Sequence, residues 1–393
     1  MSAKQVVVAG LICLSITPDL SNISEEVFNQ FYKPGCQLRT GGVKYSPGGA
    51  VANIGLPLHQ LGIPVRLVGK IGDDPFGDII RDRLNEESSH LADDLVTDLG
   101  QPTGITIQIN PPGSEQSCLY YPGTSDMFYA SDLPPELLEQ AHIFHFGSPL
   151  FMRSIYRGNG AELISILGRA RRSGLSTSLD FSLPSPFSPT KDVDWLAILE
   201  NILPLVDLIF FNADELLFVH NRALYNQFSS QTSTSLIDAL ETKYLETMAD
   251  WVLSHGVKAL VLMLNQRGIY LHTADANKWQ KCGRGFEHLN SRWHNRQIWV
   301  PASTTTSTNL HSEFGGASIA GFLAGIIKGA NPENALRMAI ATGFVDPIPD
   351  WSRIWSLVET GWDTHPLDLS LDGWLEDQVH GVWTKPPERS TRR

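Results

Sequence analysis

The chain has 393 residues, of which 42% are hydrophobic and 18% are charged, values that are ordinary for a globular protein with a sizeable core. This length allows either one large α/β domain or two domains of ordinary size. The formal net charge of −12 argues against a nucleic-acid-binding surface and against adsorption to anionic lipid. It does not exclude ATP, since proteins hold small anions through local amides and bound cations.

The cysteines and the N-terminus indicate the class of protein further. No CxxC pair occurs, so the sequence indicates neither a zinc site nor a disulfide framework among Cys13, Cys36, Cys118 and Cys282. Residues 5–9 predict a buried first strand rather than a signal peptide, and no apolar run reaches the length of a membrane span. We therefore expect a cytoplasmic protein.

Short apolar strands alternate with helical patterns along the chain. Strands are predicted at 5–9, 65–68, 103–109, 117–121, 142–146, 175–180, 208–211 and 259–264, and helices at 50–61, 78–84, 317–328 and 332–343. This alternation predicts parallel strands with crossover helices, which is a doubly wound α/β sheet. The Thr-rich run 304–309 predicts a mobile loop, and the charged segment 366–393, punctuated by Trp and Pro, predicts an appended tail after a domain of residues 1–365.

Two glycine-containing motifs suggest a ligand site. Gly48 and Gly49 precede a predicted helix that carries Asn53. Glycines let backbone amides approach a hydroxylated ligand, and an Asn amide can both donate and accept hydrogen bonds. Taken alone, this motif favours a plain strand-to-helix turn over a ligand site. The second motif, residues 313–316, opens an apolar helix whose N-terminus would favour an anion.

Polar residues also follow several of the predicted strands. Asp180 ends one of them, at the carboxyl edge where ligands bind in open α/β sheets. Asn212 and Glu215 follow the next strand, where they fit either a phosphate and Mg²⁺ site or a helix capping box. Asn265 and Gly268 frame a turn after another strand, and Asn tolerates the left-handed conformation that such a turn needs.

Together, over about residues 5–345, these motifs resemble the two signature regions of the PfkB (ribokinase-like) carbohydrate kinase family. The resemblance implies a ribokinase-like, mostly parallel sheet flanked by helices, with a small β lid built from segments of about 12–45 and 101–125. It implies transfer of the ATP γ-phosphoryl group to a hydroxymethyl group of a sugar or nucleoside, with Mg²⁺. Because lids of the family pair across a dimer, it also implies a homodimer through the lid.

The resemblance also implies roles for individual residues. The sugar or nucleoside would contact Ser15, Gly48, Gly49 and Asn53. An anion hole would include Phe314 and Gly315. The nucleotide side would comprise Asp180, Asn212, Glu215, Asn265 and Gly268, with Glu215 organising the metal through water.

The decisive departure from the family lies at Gly316, which occupies the position of the family's catalytic Asp base. Ser15 also stands where an Asp is usual, Asn265 and Glu313 where a Gly is usual, and Phe314 where a small residue is usual. Losing a positioned general base typically costs about 10²–10⁴ in rate. We therefore expect an impaired kinase, that is, a pseudokinase or ligand-binding protein. The alternative is an active carbohydrate kinase that uses a substitute base, with Glu313 as the first candidate.

Overall fold

The computed structural model describes residues 4–31, 33–111, 116–185, 187–231, 241–303, 312–345, 348–363, 373–377 and 381–386. Over this part of the chain the strands are β1 (Val6–Gly10), β2 (Cys13–Pro18), β3 (Val43–Gly48), β4 (Val65–Val68), β5 (Lys70–Gly72), β6 (Val96–Asp98), β7 (Ile105–Ile109), β8 (Ser117–Tyr121), β9 (Ile143–Gly147), β10 (Ser176–Asp180), β11 (Leu208–Asn212), β12 (Ala259–Met263), β13 (Ile269–Thr273), β14 (Gln297–Val300), β15 (Leu375–Asp377) and β16 (Val382–Lys385).

The α-helices of the same residues are α1 (Glu25–Phe31), α2 (Gly49–Gln60), α3 (Pro75–Glu87), α4 (Pro135–Gln140), α5 (Arg153–Tyr156), α6 (Ala161–Arg172), α7 (Trp195–Ile202), α8 (Ala213–His220), α9 (Arg222–Gln231), α10 (Thr242–Ser254), α11 (Ala276–Trp279), α12 (Ser312–Ile327), α13 (Pro332–Phe344) and α14 (Trp351–Thr360). The predicted Thr-rich loop at 304–309 lies outside the described residues.

The main sheet has ten strands within the described residues, in the order β15-β16-β14-β13-β12-β11-β10-β9-β1-β4. Strands from β4 to β12 in this order pair in parallel, and the four pairs from β12–β13 to β16–β15 are antiparallel. A separate four-stranded sheet, β3-β2-β7-β8, forms the lid. The predicted fold class, a doubly wound and mostly parallel sheet flanked by helices with a small β lid, is therefore confirmed.

The apolar core lies on both faces of the main sheet. In β1, Val7 and Ala9 belong to one buried cluster, whereas Val6 and Val8 belong to another. Successive side chains of a strand point to opposite faces, so a strand covered on both sides needs a continuous apolar run. This double burial explains why the sequence shows short apolar runs rather than alternating ones.

The C-terminal segment differs from the predicted tail. Strand β16 pairs with β14 and β15 pairs with β16, so both strands extend the main sheet. Trp374 is buried beside Tyr270 and Trp299, which anchors this segment to the sheet. A domain boundary at residue 365 stays a prediction. Among the described residues, no helix combines the length and the apolar character needed to cross a membrane.

Candidate functional site

A cavity of about 440 Å³ lies at the carboxyl ends of the parallel strands, between the main sheet and the lid. Ligands of open α/β sheets bind at this edge. Of the predicted site residues, the structure brings the following together in its wall: Ser15, Gly49, Asn53, Asp180, Asn212, Glu215, Asn265, Gly315 and Gly316. The predicted sugar side and the predicted nucleotide side thus share one cavity, while the individual roles stay predictions.

Two of the predicted glycines do not line the cavity but shape its neighbourhood. A Cβ at Gly48 would lie 2.1 Å from Ser15 Oγ, so Gly48 leaves room for the serine on the adjacent strand. Gly268 has a φ of 93°, and a Cβ there would lie 2.0 Å from Val300 O. Both positions therefore have a structural reason to be glycine. The side chains of Glu313 and Phe314 lie outside the described part of the structure, so their predicted roles stay predictions.

A tight turn before α2 positions the predicted sugar-side residues. Gly49 has a φ of 80°, and a Cβ on it would lie 2.5 Å from Leu11 O, so only glycine fits. The next residue but one, Val51, donates its amide to that same Leu11 oxygen at 3.0 Å. The strand-to-helix turn that the sequence allowed is present. The same turn directs Asn53, in the first part of α2, into the cavity.

Gly316, which the sequence resemblance predicts to occupy the position of the family's Asp, packs directly against α2. An ideal Cβ on Gly316 would lie 2.7 Å from Asn53 O, 2.8 Å from Asn53 Cβ and 2.9 Å from Asn53 C. Separations this short do not occur for real side chains, and backbone atoms cannot rotate away. In this arrangement α12 lies too close to α2 for any side chain at position 316. Position 316 therefore has no room for a carboxylate in this structure.

Asn212 and Glu215 form the capping box that the sequence allowed. The Asn212 side chain accepts from the Glu215 amide at 2.7 Å, and Glu215 accepts from the Asn212 backbone and side-chain nitrogens at 2.7 and 2.8 Å. Burial raises the pKa of the Glu215 carboxyl well above its ordinary value, and the nearby Asp180 and Asp214 carboxylates raise it further. Capping and a cation site are compatible, because a cation beside Glu215 would favour its ionised form.

Asn265 belongs to the predicted nucleotide side, whereas Asp214 was not singled out from the sequence. Asn265 adopts the left-handed conformation, with a φ of 49°, as the sequence suggested for a residue that replaces glycine. Asp214 lies next to the cavity-lining Glu215, and its buried Oδ1 has no hydrogen-bond partner among the described residues. Burial raises the pKa of Asp214 as well. Two carboxyl groups are therefore held here in surroundings that favour protonation.

The sequence interpretation missed a polar group behind Asp180. His145 on β9 is fully buried, with Nδ1 2.9 Å from Ser178 Oγ and Nε2 3.3 Å from Asp180 Oδ1. The orientation of the Nε2 contact does not satisfy a hydrogen bond. Ser148, which follows β9 in a left-handed conformation, donates its amide to the same Asp180 oxygen at 3.1 Å. The sequence signal for this polar group was a His within a buried strand that ends at Gly147 and is followed by Ser148.

The lid supplies further cavity residues that sequence reasoning missed. Alternate residues of its strands face the cavity, namely Cys13, Thr106, Gln108, Cys118 and Tyr120. Only the period of two along strands whose pairing is known could have identified them. Burial raises the pKa of the Cys13 thiol to about 11, so this cysteine is a poor nucleophile.

The cavity wall suits a metal ion, such as Mg²⁺, that is coordinated mainly by water and by the phosphates of a bound nucleotide. Among the described residues, no group of three or more His, Cys, Asp or Glu side chains could hold a metal ion. Mg²⁺ does not require such a cage, because it keeps several waters and binds one or two carboxylates together with phosphates. Asp180 and Glu215 are the carboxylates in the cavity wall. The first amides of α12, which lack intrahelical partners, are suited to a phosphate.

Comparisons with known proteins agree with this architecture. The sequence model of the pfkB family carbohydrate kinases matches residues 4–279. Fructokinase-2 of Oryza sativa subsp. japonica is 26% identical over 215 residues, which are 54% of this chain and 59% of that protein. Fructokinase-1 of Zea mays is 29% identical over 178 residues, or 44% and 53%. The chain thus spans about half the length of the curated relatives it matches.

Solved structures show the same fold at low sequence identity. The crystal structure of fructokinase with bound ATP from Xylella fastidiosa has a TM-score of 0.63 and 18% identity, covering 91% of this chain and 98% of that one. The Arabidopsis thaliana ribokinase complexed with ribose and ATP has a TM-score of 0.59 and 17% identity, covering 91% and 99%. At these identities the likeness establishes the fold alone.

Proposed function

Because the chain belongs to the pfkB family of carbohydrate kinases, we propose that it binds a sugar or nucleoside in the cavity beneath its lid. We further propose that transfer of the ATP γ-phosphoryl group to this ligand is impaired. The inherited reaction is phosphorylation of a hydroxymethyl group, and the protein acts mainly as a ligand-binding pseudokinase.

One observation carries this proposal: position 316 has no carboxylate and no space for one. A Cβ there would lie within 2.9 Å of three Asn53 atoms. The glycine in the sequence and the packing of α12 on α2 therefore both exclude a base at this position. A positioned base contributes about 10²–10⁴ in rate, which is the loss expected here. Gly49, Asn53, Asn212 and Glu215, which match the family's motifs, lie in the same cavity wall, which supports binding without efficient turnover.

ATP and Mg²⁺ are proposed as the second ligand and its metal. The cavity offers Asp180 and Glu215 for a hydrated cation, and the N-terminus of α12 for a phosphate. When bound, Mg²⁺ would neutralise phosphate charge that the two carboxylates otherwise repel. The cytoplasmic location stays a prediction.

A second candidate function is an active carbohydrate kinase with a substitute base. The observation that favours it is the Asp180 carboxylate, which lies in the same cavity wall as Gly49 and Asn53. Glu313, three residues before Gly316, is the other carboxylate to test. If either acts as the base, Asp180→Asn or Glu313→Gln lowers turnover without a matching loss of sugar binding.

The test combines titration calorimetry with an ADP-release assay on the full chain. Calorimetry with ribose, fructose, glucose and adenosine should detect saturable binding of at least one ligand. Asn53→Ala should abolish that binding, whereas Asn201→Ala, a substitution on α7 outside the cavity wall, should not. With MgATP, ADP release should be about 10²–10⁴-fold slower than ADP release by a kinase of the same family that has the catalytic Asp.

The other results separate the two candidates. Turnover at the rate of a complete family kinase contradicts the pseudokinase proposal and supports the substitute base. An absence of binding by every ligand, together with an absence of turnover, contradicts both candidates.

A further inference from the structure

The charged groups in the cavity wall are all of one sign. Among the described residues that line it, Asp180 and Glu215 are acidic and none is Lys or Arg. Within the described part of the cavity wall, a ligand therefore meets the carboxyl groups of Asp180 and Glu215 and no compensating cation.

Asp180 is placed against the sugar side of the cavity. Its Oδ1 lies 2.7 Å from the Cβ position of Gly147, and Ala50 Cβ lies 2.1 Å from that same position. Ala50 immediately follows Gly49 and precedes Asn53 by about one turn of α2. The Asp180 carboxylate thus neighbours the residues that the sugar is expected to contact.

The Asp180 side chain is fixed in this position. The Ser148 amide donates to Oδ1 at 3.1 Å, and His145 Nε2 lies 3.3 Å from the same oxygen behind it. His145 has 0% of its side chain exposed, whereas Asp180 keeps 12%. The carboxylate therefore presents its remaining surface to the cavity, and the Ser148 hydrogen bond favours this orientation.

The rest of the polar wall consists of neutral groups. Ser15, Thr106, Gln108 and Ser148 offer hydroxyl and amide groups, which both donate to and accept from sugar hydroxyls. Such groups match an uncharged polyol. A phosphate or carboxylate group next to Asp180 would instead face an unneutralised like charge.

We propose that this cavity selects an uncharged polyol, a sugar or nucleoside without phosphate or carboxylate groups, and that Asp180 is the residue that rejects anionic analogues. The inference rests on the proposed binding function and narrows its ligand class. It concerns the sugar ligand, since a nucleotide would bring its own Mg²⁺. Like charges placed a few ångströms apart in a partly buried site repel strongly, which is the physical basis of the selection.

The test uses calorimetry with ligand pairs whose anionic group lies away from the terminal hydroxymethyl group, namely fructose with fructose 1-phosphate and glucose with glucose 1-phosphate. The uncharged member should bind at least tenfold more tightly to the native chain. Asp180→Asn should reduce this ratio at least fivefold, because Asn preserves the shape of Asp and removes its charge. Asp82→Asn, the same change on the exposed surface of α3, should leave the ratio unaltered.

A second variant keeps the test independent of the stability of Asp180→Asn. Ser182→Lys adds a cation to the cavity wall and should tighten binding of the anionic members at least tenfold. Native binding of anionic members as tight as that of uncharged ones would overturn the inference and leave the proposed binding function intact. An unchanged ratio in both variants would also overturn it, since rejection would then be steric. Failure of both ligand classes to bind would overturn the inference and the proposed function together.

Discussion

At the scale of single residues, Gly315 and Gly316 are neighbours in sequence with opposite surroundings. A Cβ on Gly316 would meet the Asn53 backbone at 2.7 Å, whereas one on Gly315 meets, among the described residues, only Met263 Cε at 3.9 Å. We expect Gly316→Ala to destabilise the protein by about 1–3 kcal/mol through overpacking. Gly315→Ala should be neutral or stabilising by up to about 1 kcal/mol. Urea denaturation of both variants measures the difference.

Equal stability of the two alanine variants would contradict this packing argument and show that α12 can move away from α2.

The same geometry predicts the activity of a variant that has an Asp at position 316. We expect Gly316→Asp to leave ADP release at the native level, because its carboxylate can enter only if α12 shifts. Recovery of ADP release in this variant would show instead that the site lacks nothing but its base.

His272 on β13 provides a prediction about pH. Burial lowers the pKa of His272 from 6.5 to about 4, Glu246 opposes this shift and Lys385 adds to it. Asp250 Oδ1 lies 3.7 Å from Nδ1, but Asp250 is 71% exposed, so burial outweighs that contact. The lowered pKa means that the folded state excludes a proton that the unfolded chain binds below pH 6.5.

We therefore expect the free energy of unfolding to fall as the pH falls from about 6.5 to about 4. One pKa unit corresponds to about 1.4 kcal/mol, so the contribution of His272 is on the order of 3 kcal/mol. Urea titrations between these pH values should show a smaller fall for His272→Gln than for the native chain. His90→Gln, which replaces a side chain that is 83% exposed, should keep the native dependence. A native dependence in both variants would assign the fall to other groups.

At the scale of secondary structure, the sequence predicted the buried strands better than the exposed ones. The strands of the main sheet that are covered on both faces show apolar runs, and the sequence predicted most of them within a residue or two. Strands β15 and β16 have three and four residues, and β15 is exposed throughout. β15 has no buried residue and β16 has one, so neither shows the buried apolar run of the four-residue strand β4, and the sequence suggested a tail. Only the antiparallel pairing of β16 with β14 shows that they belong to the sheet.

This placement of the C-terminal strands can be tested with two adjacent residues. Trp374 is 7% exposed and packs on Tyr270 and Trp299, whereas Leu375 is 62% exposed. We expect Trp374→Ala to cost about 3–5 kcal/mol, as is usual for a buried aromatic, and Leu375→Ala to cost less than about 0.5 kcal/mol. Chemical denaturation of both variants measures this. Similar, small effects would mean that the segment does not pack on the sheet in solution.

At the scale of the whole molecule, the cavity combines residues as distant in sequence as Ser15 and Gly316. The family motifs predicted part of this wall, because each motif has a known place in the fold. Thr106, Gln108 and Tyr120 belong to no motif, and they face the cavity only because β7 lies between β2 and β8 in the lid. Asp180 was predicted at the sheet edge, but its support by His145 depends on the adjacency of β9 and β10. Long-range strand order is the information that the local sequence lacked.

The lid has a second face, turned away from the cavity, that is largely apolar. Cross-strand partners share a face, and the partners Ile16–Ile107, Ile107–Leu119 and Ile16–Tyr45 lie opposite to the cavity-facing alternation. Leu119 is 61% exposed and Tyr45 is 42% exposed. Monomeric proteins rarely expose a contiguous apolar patch of this kind. We therefore propose that a second copy of the chain covers it, which agrees with the homodimer that the sequence suggested.

Light scattering during size-exclusion chromatography tests this dimer directly. We expect the native chain to elute as a dimer and Leu119→Asp to elute as a monomer, because the charge would be buried without a partner in the interface. Leu99→Asp is the matched control, since Leu99 is 85% exposed and lies outside the lid strands. It should remain dimeric. A monomeric native chain at high concentration, or a Leu119→Asp variant that stays dimeric, would contradict the lid interface. Because the opposite face of β2, β7 and β8 lines the cavity, loss of the dimer should also weaken ligand binding.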